Sequence, residues 1–292
     1  MDRRALGGLA LTLALVGVLA GSRLLNPLTV DGAAGAEPPP PPPVVGTCLA
    51  GSVTSSWDAT GTLRPADTAY VSCAQPHRGE VFLVVDPGPP QSSPETVFDL
   101  CRGPEMSSYL GVRPAGRDWQ PEINVRTTAS GPDRRQADTG QYWVACVVVD
   151  DLGAPLTSPL GGAAAAHTVP PQLGVCFDGS VADLGVRSPV GCDGPHTGEV
   201  FASRDVEAST ARADLMPSCQ ALVDADTGRL ISGREPSVII ETVVADGNVR
   251  VSDGDTPADA TGTARCVVRS ADDRRLTASL RQLDDAPLPW AD

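Results

Sequence analysis

The sequence contains no lysine; all 22 of its cationic side chains are arginine. Schiff-base chemistry and a phosphate-loop lysine are therefore excluded. Aromatic residues make up only 4% of the chain, so few large rings are available to fill a core. The formal charge is −14 with no basic tract, which disfavours binding to nucleic-acid phosphates. There is no C-x-x-C, and the closest two cysteines are 16 residues apart, which does not fit the paired ligands of a zinc ribbon. Nucleophile-elbow, H-E-x-x-H, phosphate-loop and dinucleotide-binding patterns are also missing. What the chain does have is 30 glycines, 28 prolines and an even eight cysteines in 292 residues.

The N-terminus reads as a membrane element. Arg3 and Arg4 precede an uncharged run over 5–21, about 25 Å long as a helix. That is at the short end for a ~30 Å hydrocarbon core, and Arg23 can snorkel to extend it. The positive flank places the N-terminus in the cytoplasm and the remainder outside. An uncleaved anchor over 1–25 is the preferred reading. A cleaved signal is the alternative, since Val18-Leu19-Ala20 and Ala34-Gly35-Ala36 offer small-residue sites. No cysteine comes just after the run, so a bacterial lipoprotein anchor is excluded. Residues 26–45 read as a spacer. Six prolines at 38–43 make a stiff polyproline II rod rather than a ligand for proline-binding modules.

The remainder is a duplication. Gly46-Thr-Cys48-Leu-Ala-Gly51 matches Gly174-Val-Cys176-Phe-Asp-Gly179. Cys73-Ala-Gln-Pro76-His77-Arg-Gly79-Glu80-Val81-Phe82 matches Cys192-Asp-Gly-Pro195-His196-Thr-Gly198-Glu199-Val200-Phe201. Cys146-Val147-Val148 matches Cys266-Val267-Val268, and Leu156, Thr157 and Leu160 match Leu276, Thr277 and Leu280. The first copy is longer around 55–66. These matches predict two domains, 46–160 and 173–290, joined by a small-residue and proline linker over 161–172. The acidity lies in the copies: −5 over 47–165 (8 Arg, 13 acids) and −9 over 166–292 (11 Arg, 20 acids). β-branched and alternating residues predict strands over 68–73, 79–85, 122–128 and 142–149, then 186–192, 198–203, 238–245 and 264–269. Each copy has one expected helix, on Val97, Phe98 and Cys101 and on Leu215, Cys219, Leu222 and Val223. Pro104 and Pro217 should keep these short or kinked. The expected fold is α+β: two tandem disulfide-stapled domains, each a mostly antiparallel sheet with one helix, after the N-terminal membrane segment.

Export favours disulfides over metal thiolates. Four cysteines per copy permit three pairings. The expected one is Cys48–Cys73, Cys101–Cys146, Cys176–Cys192 and Cys219–Cys266, because it staples each helix to a strand. The repeated Pro76, His77, Gly79, Glu80 and Pro195, His196, Gly198, Glu199 form the candidate motif. A His–Glu pair three apart suits general-base or metal chemistry. The competing and preferred reading is a turn whose imidazole bonds nearby backbone. No second histidine lies close, and His167 falls in the linker. Asp253, Asp255 and Asp259 lack the EF-hand order and read as a solvated loop. Trp143 is expected in the core, and Trp57, in the extra segment, is a candidate binding anchor.

The Gly-x-Cys opening, the Cys-x-x-Pro-His-x-Gly-Glu-Val-Phe core and the later cysteines resemble the septum formation domain of actinobacterial envelope proteins. The arginine-only cation usage suits a high-GC genome. The resemblance implies a role in division septum formation and supplies no catalytic residue. The expected function is a non-enzymatic extracytoplasmic binding module of the cell envelope, in the cell membrane and without cofactor or metal. Acidity argues against anionic wall polymers or lipid and favours a protein partner from the envelope or division machinery. A metal-assisted envelope hydrolase using the His-x-Gly-Glu element is the alternative. A sensor ranks last, for want of a cytoplasmic domain.

Overall fold

Valine-rich segments become the central strands. Val144–Asp150 has all seven residues buried, as a strand covered on both faces requires. A computed structural model of the chain describes residues 16, 38–53, 63, 69–86, 94–112, 118–165, 169–179, 188–207, 210–231, 236–244, 249–250, 262–270 and 274–291. Its strands are β1 (Cys48–Leu49), β2 (Tyr70–Val71), β3 (Gly79–Val85), β4 (Gln120–Pro121), β5 (Val125–Ser130) and β6 (Val144–Asp150) in the first half. The second half has β7 (Val175–Asp178), β8 (Ser188–Val190), β9 (Gly198–Val206), β10 (Ser237–Val244), β11 (Val249–Arg250) and β12 (Gly262–Arg269). Two antiparallel sheets result, β2-β1-β3-β6-β5 and β8-β7-β9-β12-β10-β11, in matching order. Both lie in one compact unit, Pro40–Asp292. The fold is thus sheet-rich α+β. The membrane segment expected over 1–25 lies outside the described residues except for Val16. Among those residues no helix is long and apolar enough to cross a membrane.

Helices depart from the expectation of one per half. Among the described residues the first half has α1 (Pro94–Cys101), α2 (Glu105–Leu110) and α3 (Arg134–Asp138). Pro104, which cannot continue a helix, sits at the N-cap of α2. α3 opens on a capping box. Asp133 accepts from the Gln136 backbone N–H at 2.7 Å, and the Gln136 side chain accepts from the Asp133 N–H at 2.8 Å. Its polar sequence hides it from a search for apolar periodicity. In the second half α4 (Arg212–Thr227) runs 16 residues despite Pro217, so the expectation of a short helix is corrected. Pro217 lies within the first two turns, where it removes a single intrahelical bond. Leu215, Cys219 and Val223 bury one face at i, i+4 and i+8.

Both sheets carry the same irregularity. Val81 pairs with Val147 and Leu83 with Cys146, leaving Phe82 extra. Val200 pairs with Val267 and Ala202 with Cys266, leaving Phe201 extra. A bulge re-aims its residue, and each Phe joins the larger, helix-side core of its half. Four disulfides staple the fold: Cys48–Cys73, Cys101–Cys146, Cys176–Cys192 and Cys219–Cys266, with Cα separations of 5.3–5.5 Å. The second and fourth tie α1 to β6 and α4 to β12. Each bridge contributes roughly 2–4 kcal/mol.

The halves interlock. β4 pairs with β9, and Glu122 N–H donates to the Phe201 carbonyl at 3.1 Å. Trp119 Nε1 donates to Ser218 Oγ at 2.9 Å, and Arg265 pairs with Glu122 at 2.9 Å. Val169, in the expected linker, and Leu173, the first residue of the expected second copy, are buried in the first core. Ala164 N–H donates to the Leu110 carbonyl and Ala164 is buried, whereas Gly161, Gly162 and Ala165 stay exposed.

Candidate functional site

The repeated motif forms a turn into the central strand of each sheet. His77 exchanges backbone hydrogen bonds with Leu156 at 2.9 and 2.7 Å, and His196 does the same with Leu276. His77 Nδ1 lies 2.8 Å from the Gln75 carbonyl and His196 Nδ1 lies 2.8 Å from that of Gly194. A carbonyl only accepts, so Nδ1 of each ring carries a proton. Both rings are at most 1% exposed, and neither Nε2 has a hydrogen-bond partner. Pro76 and Pro195 stay exposed at the turn. Gly79 is required by packing: a Cβ there would stand 2.7 Å from Val147 and 2.9 Å from Val149. At Gly198 it would strike the Phe177 ring.

Glu80 and Glu199 come next along the strand, opposite Cys48 and Cys176 respectively. Both are buried, at 2% and 0% exposure. Each accepts a backbone N–H from the mirrored leucine, Leu160 or Leu280, at 2.8 Å. The remaining partners differ. Glu199 also accepts from Ser279 Oγ at 2.8 Å and from Arg281 Nε at 3.1 Å. Arg281 in turn donates to Asp226 at 3.0 Å and to the Val200 and Phe201 carbonyls. Its guanidinium lies over the Phe201 ring, 4.7 Å from the centroid. The first half has Gly161 in place of Arg281, and the Tyr109 hydroxyl donates to Glu80 instead. Burial, then the Glu80 hydrogen bond and charge, push the Tyr109 pKa well above 10.0. His77 Nε2 stands 3.9 Å from Glu80 Oε2, too far for a hydrogen bond.

Cysteine sulfurs adjoin both carboxylates. Donor atoms of Cys48, Cys73 and Glu80 lie within 4.8 Å of one another, as do those of Cys176, His196 and Glu199. In the disulfide form these sulfurs are not thiolates and bind no metal. The His–Glu pairs are enclosed. A pocket of about 250 Å³ lies elsewhere, lined by residues including Asp118, Trp119, Gln120 and Pro121. Trp143 is buried. Trp57, His167 and the acidic loop at 253–259 lie outside the described residues. Tyr109, Asp226, Ser279 and Arg281 escaped the sequence reading. The mirrored Leu160 and Leu280 were the available signal, since both donate to the glutamate and Arg281 is the next residue.

No curated protein and no solved structure matches the chain. A family model described as septum formation matches residues 45–225. It takes in both His-x-Gly-Glu turns and ends before Ser279 and Arg281. With well over half of the 292 residues matched, cysteines and both turns among them, the chain belongs to the septum formation family.

Proposed function

We propose that the chain is a non-enzymatic binding module of the cell envelope that acts in septum formation and cell division. The family match over 45–225 carries this reading. In it, the N-terminal segment holds the protein in the membrane with a single pass. The proline run spaces two copies of one fold, 46–160 and 173–290, on the extracytoplasmic side. The four disulfides suit an oxidising compartment. Each repeated His commits Nδ1 to a backbone carbonyl and each Glu accepts a backbone N–H, with both pairs buried, which favours a scaffold over a hydrolase. An acidic surface on a −14 chain favours a protein partner with basic or neutral contacts. The test is fluorescent localisation in dividing cells, with and without residues 1–43. The full chain should concentrate at the septum and the truncated one should lose the membrane. Uniform lateral signal from the full chain would remove the septal role.

A further inference from the structure

We propose that the corner formed by Gln136 and Gln141 is a binding site for a proline-rich peptide, which the chain's own proline run fills as an intramolecular strap. Gln136 Nε2 donates to the Pro40 carbonyl at 2.9 Å and to the Pro41 carbonyl at 3.4 Å. Gln141 Nε2 also donates to the Pro40 carbonyl, at 3.5 Å. Pro43 is buried, while Pro41 and Pro42 stay exposed. The run read from sequence as a spacer only is thus also a ligand at its C-terminal end, and what it binds is this chain.

The two caps of α3 build the site. Gln136 is only 4% exposed, and its amide cannot turn over: Oε1 accepts the Asp133 N–H at 2.8 Å, so Nε2 must present its hydrogens to the strap. Gly140, at φ 84°, takes the left-handed backbone that ends the helix, and Gln141 N–H then donates to the Gln136 carbonyl at 3.0 Å. That bond brings the second glutamine alongside the first. Fixed donors suit proline in particular. A proline segment has no N–H to satisfy, makes no internal hydrogen bonds that would occupy its carbonyls, and is stiff before it binds. Little ordering entropy is then lost on docking. The strap is also an inhibitor of its own site. Four residues separate Pro41 from Gly46, whose N–H donates to the Val81 carbonyl at 2.8 Å. So short a tether gives the strap an effective concentration on the order of millimolar. A peptide from another protein therefore docks where the strap is out. The site rests on these contacts and stands or falls independently of the septal role.

Fluorescein-labelled hexaproline is titrated by anisotropy against the full chain in mild detergent. It is also titrated against a strap variant carrying Pro38→Gly, Pro39→Ser, Pro40→Gly, Pro41→Ser and Pro42→Gly, which keeps buried Pro43. The strap variant should bind hexaproline at least about tenfold more tightly than the full chain, and a Gly-Ser hexapeptide should bind neither. Gln136→Glu is then added to the strap variant. Glutamate keeps an acceptor for the Asp133 N–H, and so the capping box, but has no donor for a proline carbonyl. It should weaken hexaproline binding by about tenfold or more. Near-UV circular dichroism checks that each variant is folded. If Gln136→Glu does not fold, the Gln136 side-chain amide decides: its 15N-resolved NMR signal should shift when hexaproline is added to the strap variant. A strap variant that binds hexaproline no more tightly than the full chain would overturn the proposal. So would equal affinity for the two peptides, binding indifferent to a folded Gln136→Glu, or an unmoved Gln136 amide.

Discussion

Glu80 and Glu199 follow a glycine into the central strands of two sheets with matching strand order, and each takes a backbone N–H from a mirrored leucine. In the second half an arginine neutralises the carboxylate and engages a second acid, Asp226. In the first half a tyrosine hydroxyl does the work, and among the described residues no guanidinium pairs with Glu80. A buried carboxylate needs hydrogen bonds or a counter-charge, and the two halves have taken different routes to the same requirement. The ion network ties β9, α4 and the 279–281 segment of the second half together around one side chain. The first-half carboxylate sits opposite buried Cys48, whose disulfide partner Cys73 is partly exposed.

The largest test of this comparison is Arg281→Met. It strands Glu199 and Asp226 as buried acids and should cost about 3–5 kcal/mol in denaturant unfolding. Tyr109→Phe removes one hydrogen bond to a charged group from a half-buried side chain, and should cost about 1.5 kcal/mol. Equal losses would mean that the two carboxylates are held alike. The same variant carries a pH signature. The folded Tyr109 pKa is raised above 10.0, so its contribution is full below pH 10 and is lost as pH rises through the folded value. Tyr109→Phe should flatten the alkaline fall in melting temperature. The smallest effect concerns Asp150, whose place in the second half is taken by Ser270. Burial raises the Asp150 pKa above 3.8 against the lowering effect of its backbone hydrogen bonds. The folded state therefore binds the proton more tightly, and stability falls as pH rises from about 3.8 through the folded value. Asp150→Asn keeps an acceptor for Ala154 N–H and should remove that slope, with a gain under about 1 kcal/mol at pH 7. An unchanged slope in acid melting curves would show that Asp150 is no source of asymmetry between the halves.

The central strands were legible because β3, β6 and β12 carry consecutive valines and β9 repeats the Gly-Glu-Val-Phe opening of β3. The bridges were legible because the third cysteine of each copy sits on an apolar helical face and the fourth within a valine strand. β4 was not. It is two residues long, contains a proline, and pairs across the halves, so no local pattern encodes it. Arg281 lies one residue beyond the last mirrored leucine and lacks a counterpart, so a search for repetition passes over it. Tyr109 lies on a six-residue helix too short to show a period.

The Gln136 side chain, fixed by its capping box, donates to the Pro40 and Pro41 carbonyls at 2.9 and 3.4 Å. Downstream, Gly46 N–H donates to the Val81 carbonyl, and Cys48 is covalently tied to Cys73. Gln141 Nε2 also donates to the Pro40 carbonyl, at 3.5 Å, and Val81 N–H donates to the Thr47 carbonyl at 2.9 Å. Tension applied to the chain before Pro40 therefore meets these weak side-chain links, then two strand contacts to Val81, then a covalent stop. Beyond that stop the load divides between the two chain paths that leave Cys48 and Cys73. A pull at this end would peel off no more than the residues ahead of Cys48 before force reaches the valine strands.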